Sequence, residues 1–136
     1  MTTSTVKYLG NLRTEATHLQ SNSKLITDAP IDNNGKGEAF SPTDILATSL
    51  ASCMITIMGI SAKAKGWELR YCESAVEKIM AANPRRVSAI NIDIKLQDTW
   101  NESQRKTLET AAKSCPVAFS LHADLMVNLT FTYIKQ

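Results

Sequence analysis

The chain has 136 residues, the size of one domain, and its hydrophobic fraction of 43% and charged fraction of 21% are those of a globular protein, neither disordered nor fibrous. Its 15 basic and 13 acidic residues give a net charge of +2 without any basic run, which argues against nucleic acid as a partner. The first ten residues, MTTSTVKYLG, lack the apolar core of a signal peptide, and three cysteines do not suggest a disulfide framework. We therefore expect a single cytoplasmic domain in a reducing compartment.

The first quarter of the chain predicts strands followed by a loop. Strands are predicted over residues 5–9 and 12–19, around a tight turn at Gly10-Asn11, with a third short strand over 24–27. The segment DAPIDNNGKGEAF, residues 28–40, is rich in turn-forming residues and is predicted to be a loop. Long ordered loops in compact domains are often functional.

The next segment predicts one long helix with clear ends. Ser41 is a suitable N-cap, Pro42 suits the first helical position, and Asp44 supplies the acid of a capping box. Gly66 is a suitable terminator at the other end.

Residues 45–62 of this helix carry no charge, so every face of it should be covered by protein. We expect no membrane span, because the uncharged stretch is short and hydroxyl side chains are spread around it. A single domain with one layer of sheet covers such a helix poorly, whereas two chains that pack their helices together cover it readily. A homodimer is therefore the expected state.

The second half predicts two strands, two helices and a last strand. Strands are expected over 67–80 and 87–97, an amphipathic helix over 102–114, a short helix from Cys115-Pro116 to about residue 122, and an alternating strand around 127–133. The order of elements predicts an α+β fold of antiparallel sheets built from hairpins, rather than from repeated βαβ units.

The three cysteines differ in their sequence context. Cys53 lies in the middle of the uncharged helix, where a small buried core residue is the ordinary interpretation and where a thiolate would need a cation from another segment. Cys115 precedes Pro116 and so falls at a helix N-cap, where backbone N–H groups favour an anion. Cys72 lies on a predicted strand and is expected only to pack.

A few charged residues are further candidates. Arg13, in a strand of short or polar residues, is a candidate cation, although a solvent-facing arginine is an equally good interpretation. Glu38 precedes the helix in the glycine-rich loop and has no evident structural role, whereas Asp44 has its role in the capping box. His18 and His122 are isolated histidines, and no set of residues has metal-ligand spacing.

Two motifs resemble those of a known family. SPTDILATSLASCM is similar to the central-helix motif of the OsmC/Ohr family, the osmotically inducible and organic hydroperoxide resistance proteins. SCPVAFSL resembles the second cysteine motif of that family, and the order of the elements agrees over essentially the whole chain.

The resemblance implies an intertwined homodimer of α+β subunits, with sheets wrapped around paired central helices and active sites at the subunit interface. It implies that Cys53 is the peroxidatic cysteine, Cys115 the resolving cysteine, and Arg13 the arginine that keeps the reactive thiol ionised. The reaction implied is reduction of an organic hydroperoxide to an alcohol through a Cys53 sulfenic acid and a Cys53–Cys115 disulfide. A dithiol, of which a lipoyl-type dithiol is one candidate, would then reduce the disulfide, without a metal or organic cofactor.

The chain departs from the family pattern at one position. Family peroxidases have a glutamate directly after the helix-opening proline, whereas this chain has Thr43 there. Asp44 or Glu38 is the expected replacement.

Two other functions are compatible with the sequence. The dimer could bind small apolar ligands in an interface pocket, with Cys53 only lining it. A cysteine hydrolase or transferase would require a histidine base, His18 or His122, near Cys53.

Overall fold

The computed structural model describes residues 1–136 and confirms the α+β fold and the predicted order of elements. The strands are β1 (Ser4–Gly10), β2 (Arg13–His18), β3 (Lys24–Asp28), β4 (Cys72–Ala81), β5 (Arg86–Gln97) and β6 (Met126–Ile134). The helices are α1 (Pro42–Ala64), α2 (Glu102–Lys113) and α3 (Pro116–Ser120), with a 3-10 turn at Ile31–Asn33. The chain divides into two compact units, Met1–Leu46 and Ala47–Gln136.

The first unit contains an antiparallel sheet in the order β1-β2-β3. Gly10 pairs with Arg13, so the turn consists of Asn11 and Leu12, one position later than predicted. Both turn residues have left-handed backbone angles, with φ of 55° and 63°, which match the twist of a two-residue hairpin. The β2–β3 register places Arg13 directly opposite Asp28.

The loop between β3 and α1 is tied back to the sheet. The Asp28 N–H donates to the carbonyl of Phe40 at 3.0 Å, and the Ala29 N–H donates to the carbonyl of Leu12 at 3.0 Å. A Cβ atom at Gly35 would lie 1.8 Å from the carbonyl oxygen of Ala29, so only glycine fits at that position. The loop is therefore an ordered connection that starts and ends beside β3.

Both ends of α1 are capped as predicted. The Ser41 Oγ accepts from the Asp44 N–H at 3.1 Å, and Asp44 Oδ2 accepts from the Ser41 N–H at 3.0 Å, which completes the capping box. Gly66 has a φ of 72°, and its N–H and that of Trp67 bond to carbonyls in the last turn, which is a Schellman ending.

Helix α1 is 23 residues long, and its apolar window has a mean hydropathy of 1.8, so by length and composition alone it could cross a membrane. The prediction that the segment is too short was therefore wrong. One such helix is weak evidence of a span, because core helices of globular proteins meet the same criteria. Leu50, Met54 and Met58, spaced four residues apart, are buried in the core of the second unit.

The second sheet, in the order β4-β5-β6, corrects the expectation of purely antiparallel sheets. Strands β4 and β5 are antiparallel, but β5 and β6 are parallel. The chain between β5 and β6 passes through α2 and α3, and such a helical crossover returns it to the same end of the sheet, where a parallel strand begins. One face of β5 is fully buried through Ile90, Ile92, Ile94 and Leu96.

Strand β4 starts at Cys72, not at residue 67 as predicted. The buried side chain of Gln97 bonds the preceding backbone, because its Oε1 accepts from the N–H groups of Arg70 and Tyr71 and its Nε2 donates to the carbonyl of Glu68. These backbone groups are satisfied by a side chain, so the segment does not need a strand partner.

We expect the Ile90→Ala substitution to lower the free energy of unfolding by about 2–5 kcal/mol, because it leaves a cavity in a fully buried part of the core. The matched control is Ile79→Ala in the neighbouring strand, where the side chain is 39% exposed and the loss should be less than about 1 kcal/mol. Chemical denaturation at one fixed protein concentration measures both. Equal losses for the two variants would contradict the assignment of the buried face.

Candidate active site

Cys115 is the N-cap of α3, as predicted. Its backbone is extended, with φ of −72° and ψ of 139°, and Pro116 occupies the first helical turn. Its Sγ accepts a hydrogen bond from the N–H of Ala118 at 3.3 Å. The residue is completely buried, so the sulfur is the cap and is also shielded from solvent.

The structure brings Cys53 and Cys115 together. Cys53 is half-buried on α1 and packs against the same core to which Cys115 belongs. The two side chains lie close enough for Cys53 to affect the ionisation of Cys115. We refer to these two residues as the thiol pair.

Burial is the main cause that raises the pKa of Cys115 above its ordinary value, and its interaction with Cys53 raises it further. The N–H of Ala118 acts in the opposite direction but does not outweigh burial. Cys115 therefore keeps its proton at neutral pH.

Cys72 is the first residue of β4 and pairs with Leu96 of β5. It is half-buried and packs against the core, in agreement with the packing role expected for it. Burial raises its pKa to about 11, so it remains a neutral thiol at physiological pH.

Arg13 is held by a carboxylate that the sequence analysis did not identify. Its Nε donates to Asp28 Oδ1 at 2.7 Å, and its Nη2 donates to Asp28 Oδ2 at 2.8 Å. This bidentate pair lowers the pKa of Asp28, chiefly through the hydrogen bonds from Arg13, and raises the pKa of the guanidinium. Glu38 adds a weaker contact, with its Oε1 3.7 Å from Arg13 Nη2. Arg13, Asp28 and Glu38 form what we call the arginine cluster.

The two carboxylates predicted to replace the missing glutamate differ in their partners. Glu38 does contact Arg13, but its side chain is 63% exposed. Asp44 is engaged in the capping box of α1. Asp28 could have been found only from the pairing of two short strands, since the β2–β3 register alone brings it opposite Arg13.

The histidines have partners other than cysteine. His18 Nδ1 is 2.6 Å from the Ser21 hydroxyl. His122 is a surface residue, 77% exposed, whose Nδ1 accepts from the N–H of Asp124 at 3.0 Å. This geometry gives no support to a cysteine–histidine pair of the hydrolase type. The chain also has no group of three or more potential metal ligands.

The chain is similar to a solved structure at high sequence identity. It comes from Psychrobacter arcticus 273-4 and is described provisionally as an osmotic stress induced and detoxification response protein. It is 52% identical, with 96% of each chain covered and a TM-score of 0.93.

More distant structures share the fold. An organic hydroperoxide resistance protein OsmC from Legionella pneumophila is 19% identical, with a TM-score of 0.71 over 97% of this chain and 98% of that one. An OsmC-like protein from Mycoplasma pneumoniae is also 19% identical, with a TM-score of 0.80 over 96% and 95% of the two chains.

No curated protein sequence matches the chain significantly. The sequence profile of the OsmC-like proteins matches residues 35–130, which include Glu38, Asp44 and both members of the thiol pair. With this match over most of its length and a relative of 52% identity, the chain belongs to the OsmC/Ohr family.

Proposed function

We propose that the protein is a thiol-dependent peroxidase that reduces organic hydroperoxides to alcohols. The observation that carries this proposal is the proximity of Cys53 and Cys115 in one core, although the two cysteines lie 62 positions apart in the sequence. A reactive cysteine beside a second thiol is the arrangement needed to form and then resolve a sulfenic acid. Membership of a family that includes a protein named for organic hydroperoxide resistance supports the same function.

The reaction has three steps. The Cys53 thiolate attacks one peroxide oxygen, the O–O bond breaks, and the leaving alkoxide takes a proton to become the alcohol, while Cys53 becomes a sulfenic acid. The Cys115 thiol then attacks the sulfenic sulfur, and one water is released as the disulfide forms. An external dithiol reduces this disulfide by thiol–disulfide exchange and is itself oxidised.

The two thiols have different environments, which suits a division of these roles. Cys115 is completely buried and keeps its proton, so it is poorly suited to be the attacking thiolate. Cys53 is only half-buried and is the more accessible of the two. Cys53 therefore attacks the peroxide and Cys115 resolves the product.

Arg13 supplies the positive charge that ionises Cys53 in this proposal. The edge of the guanidinium formed by Nε and Nη2 is occupied by Asp28, whereas Nη1 has no hydrogen-bond partner. That group is available to a thiolate from either subunit of a dimer. A planar guanidinium that is always charged can bind a carboxylate and a thiolate at the same time, which an ammonium group does less well.

A second copy of the chain is the proposed partner. Val6, Tyr8 and Leu25 lie on one face of the first sheet and are 67%, 64% and 44% exposed. Ile60 on α1 is 59% exposed. Apolar side chains exposed together on one face of an element usually mark an interface.

Oxidation with diamide should link Cys53 to Cys115 and leave Cys72 free, because the first two thiols lie close together. Peptide mapping by mass spectrometry after alkylation identifies the pair. The Cys72→Ser variant is the matched control and should form the same disulfide to the same extent. A disulfide that includes Cys72 would show that the thiol pair is wrongly assigned.

With a dithiol as reductant, cumene hydroperoxide should be reduced faster than hydrogen peroxide, because the helix around Cys53 carries no charge and is largely apolar. We expect Cys53→Ser to lose turnover entirely. Cys115→Ser should use one equivalent of peroxide to form the Cys53 sulfenic acid and lose activity when a second equivalent oxidises it to the sulfinic acid.

The rate of alcohol formation and the mass of the protein measure both outcomes, with Cys72→Ser as the control that retains turnover. If neither peroxide oxidises Cys53, the peroxidase function is excluded, and binding of small apolar ligands becomes the better proposal.

In sedimentation experiments at micromolar concentration the protein should have twice the 14.9 kDa mass of one chain. We expect an interface larger than about 1,600 Å². Val6→Glu should weaken the dimer, because it places a charge on the exposed apolar face, whereas Thr5→Glu on the opposite face of β1 should not. A monomeric wild-type protein would contradict the proposed partner.

A further inference from the structure

We propose that Asp28 is the residue that positions Arg13. In this role it replaces the glutamate that family peroxidases have where this chain has Thr43. This inference rests on the proposed function, in which Arg13 ionises Cys53. It concerns the last residue of β3, which the sequence predicts to be the first residue of the loop and which was not among the expected replacements.

The geometry of the pair supports a positioning role. Two parallel hydrogen bonds, 2.7 and 2.8 Å long, fix both the location and the plane of the guanidinium. The two residues are also direct partners in the β2–β3 ladder, so the backbone already holds them in register. A single contact to a flexible side chain would not determine the orientation in this way.

Asp28 and Glu38 differ in how far their side chains are buried. Only 1% of the Asp28 side chain is exposed, whereas 63% of the Glu38 side chain is exposed and its oxygen lies 3.7 Å from Arg13. Solvent screens an exposed charge pair strongly, and a distance of 3.7 Å is too long for a good hydrogen bond. Asp28 therefore orients the guanidinium, while Glu38 acts on it mainly through its charge.

Asp28 also connects Arg13 to the loop after β3. Its Oδ2 accepts from the N–H of Glu38 at 3.1 Å, and its own N–H donates to the carbonyl of Phe40 at 3.0 Å. Lys36 in the same loop is a further positive charge near this carboxylate. The charged partners of the Arg13–Asp28 pair are thus Glu38, which acts on the arginine, and Lys36, which acts on the carboxylate.

The sign of a measured shift separates positioning from simple electrostatics. Removing a negative charge near Arg13 by itself favours a neighbouring thiolate and lowers the pH at which the thiol becomes reactive. Releasing the guanidinium has the opposite effect, because the thiolate loses a fixed positive neighbour. Asp28→Asn and Glu38→Gln remove the same charge, so they form a matched pair.

The test is the pH dependence of iodoacetamide alkylation at Cys53, followed by site-resolved mass spectrometry on the full-length protein. The quantity measured is the midpoint, the pH at which alkylation of Cys53 is half-maximal. Arg13→Ala is the reference variant and should raise this midpoint toward the ~8.5 of an unperturbed thiol. We expect Asp28→Asn to raise the midpoint by at least half as much, with a parallel fall in kcat/KM for cumene hydroperoxide. Glu38→Gln should shift the midpoint downward.

A midpoint for Asp28→Asn that equals or falls below that of the wild type, while Arg13→Ala is raised, would overturn the inference and leave the proposed function intact. A midpoint for Glu38→Gln raised as far as that of Asp28→Asn would also overturn it, because the two carboxylates would then act alike. If Arg13→Ala causes no rise, the role of Arg13 in the proposed function fails, and this inference fails with it.

If thermal unfolding shows that Asp28→Asn does not fold, Asp28→Glu takes its place in the experiment. That variant keeps the charge but moves the carboxylate by one methylene, so positioning still predicts a raised midpoint, whereas a charge effect predicts none. The wild-type protein gives an independent measurement by NMR. The Arg13 Nε–H should exchange slowly with water, and exchange as fast as that of a free arginine would overturn the inference.

Discussion

The proximity of the thiols of Cys53 and Cys115 depends on several parts of the second unit at once. Helix α1 must pack its buried side on the sheet, and α3 must begin at the residue whose sulfur caps it. The crossover through α2 and α3 brings the second thiol into the core shared with α1, and the same crossover makes β6 parallel to β5. A displacement of α1 or of α3 would therefore separate the two sulfurs.

The charges of the chain are arranged so that few ionised groups are buried. Asp28 is the clear exception, and it is satisfied by two hydrogen bonds from a guanidinium and one from a backbone N–H. The thiol pair lies in an apolar core, where burial favours the neutral form of Cys115.

Local features of the fold could be predicted from the sequence. The capping box of Ser41 and Asp44, the Schellman ending at Gly66 and the N-cap at Cys115 each depend on residues within one or two turns. The alternation of isoleucines likewise predicted the buried face of β5. The family resemblance, which depends on two such local motifs, is confirmed by the profile match.

Non-local features could not be predicted in this way. The parallel direction of β6 depends on where two intervening helices pack, and periodicity carries no such information. The pairing of Arg13 with Asp28 depends on the register of two short strands, and a shift of one residue would have placed another side chain opposite the arginine. The functional roles of these residues remain predictions.

The side chain of Gln97 has a consequence for the order of the second sheet. Three backbone groups before β4 are bonded to it, and it is the last residue of β5. If β4 slipped by one residue along β5, these three bonds would be lost, in addition to the burial of alternate side chains. The buried amide of Gln97 thus helps to fix the register of β4 on β5.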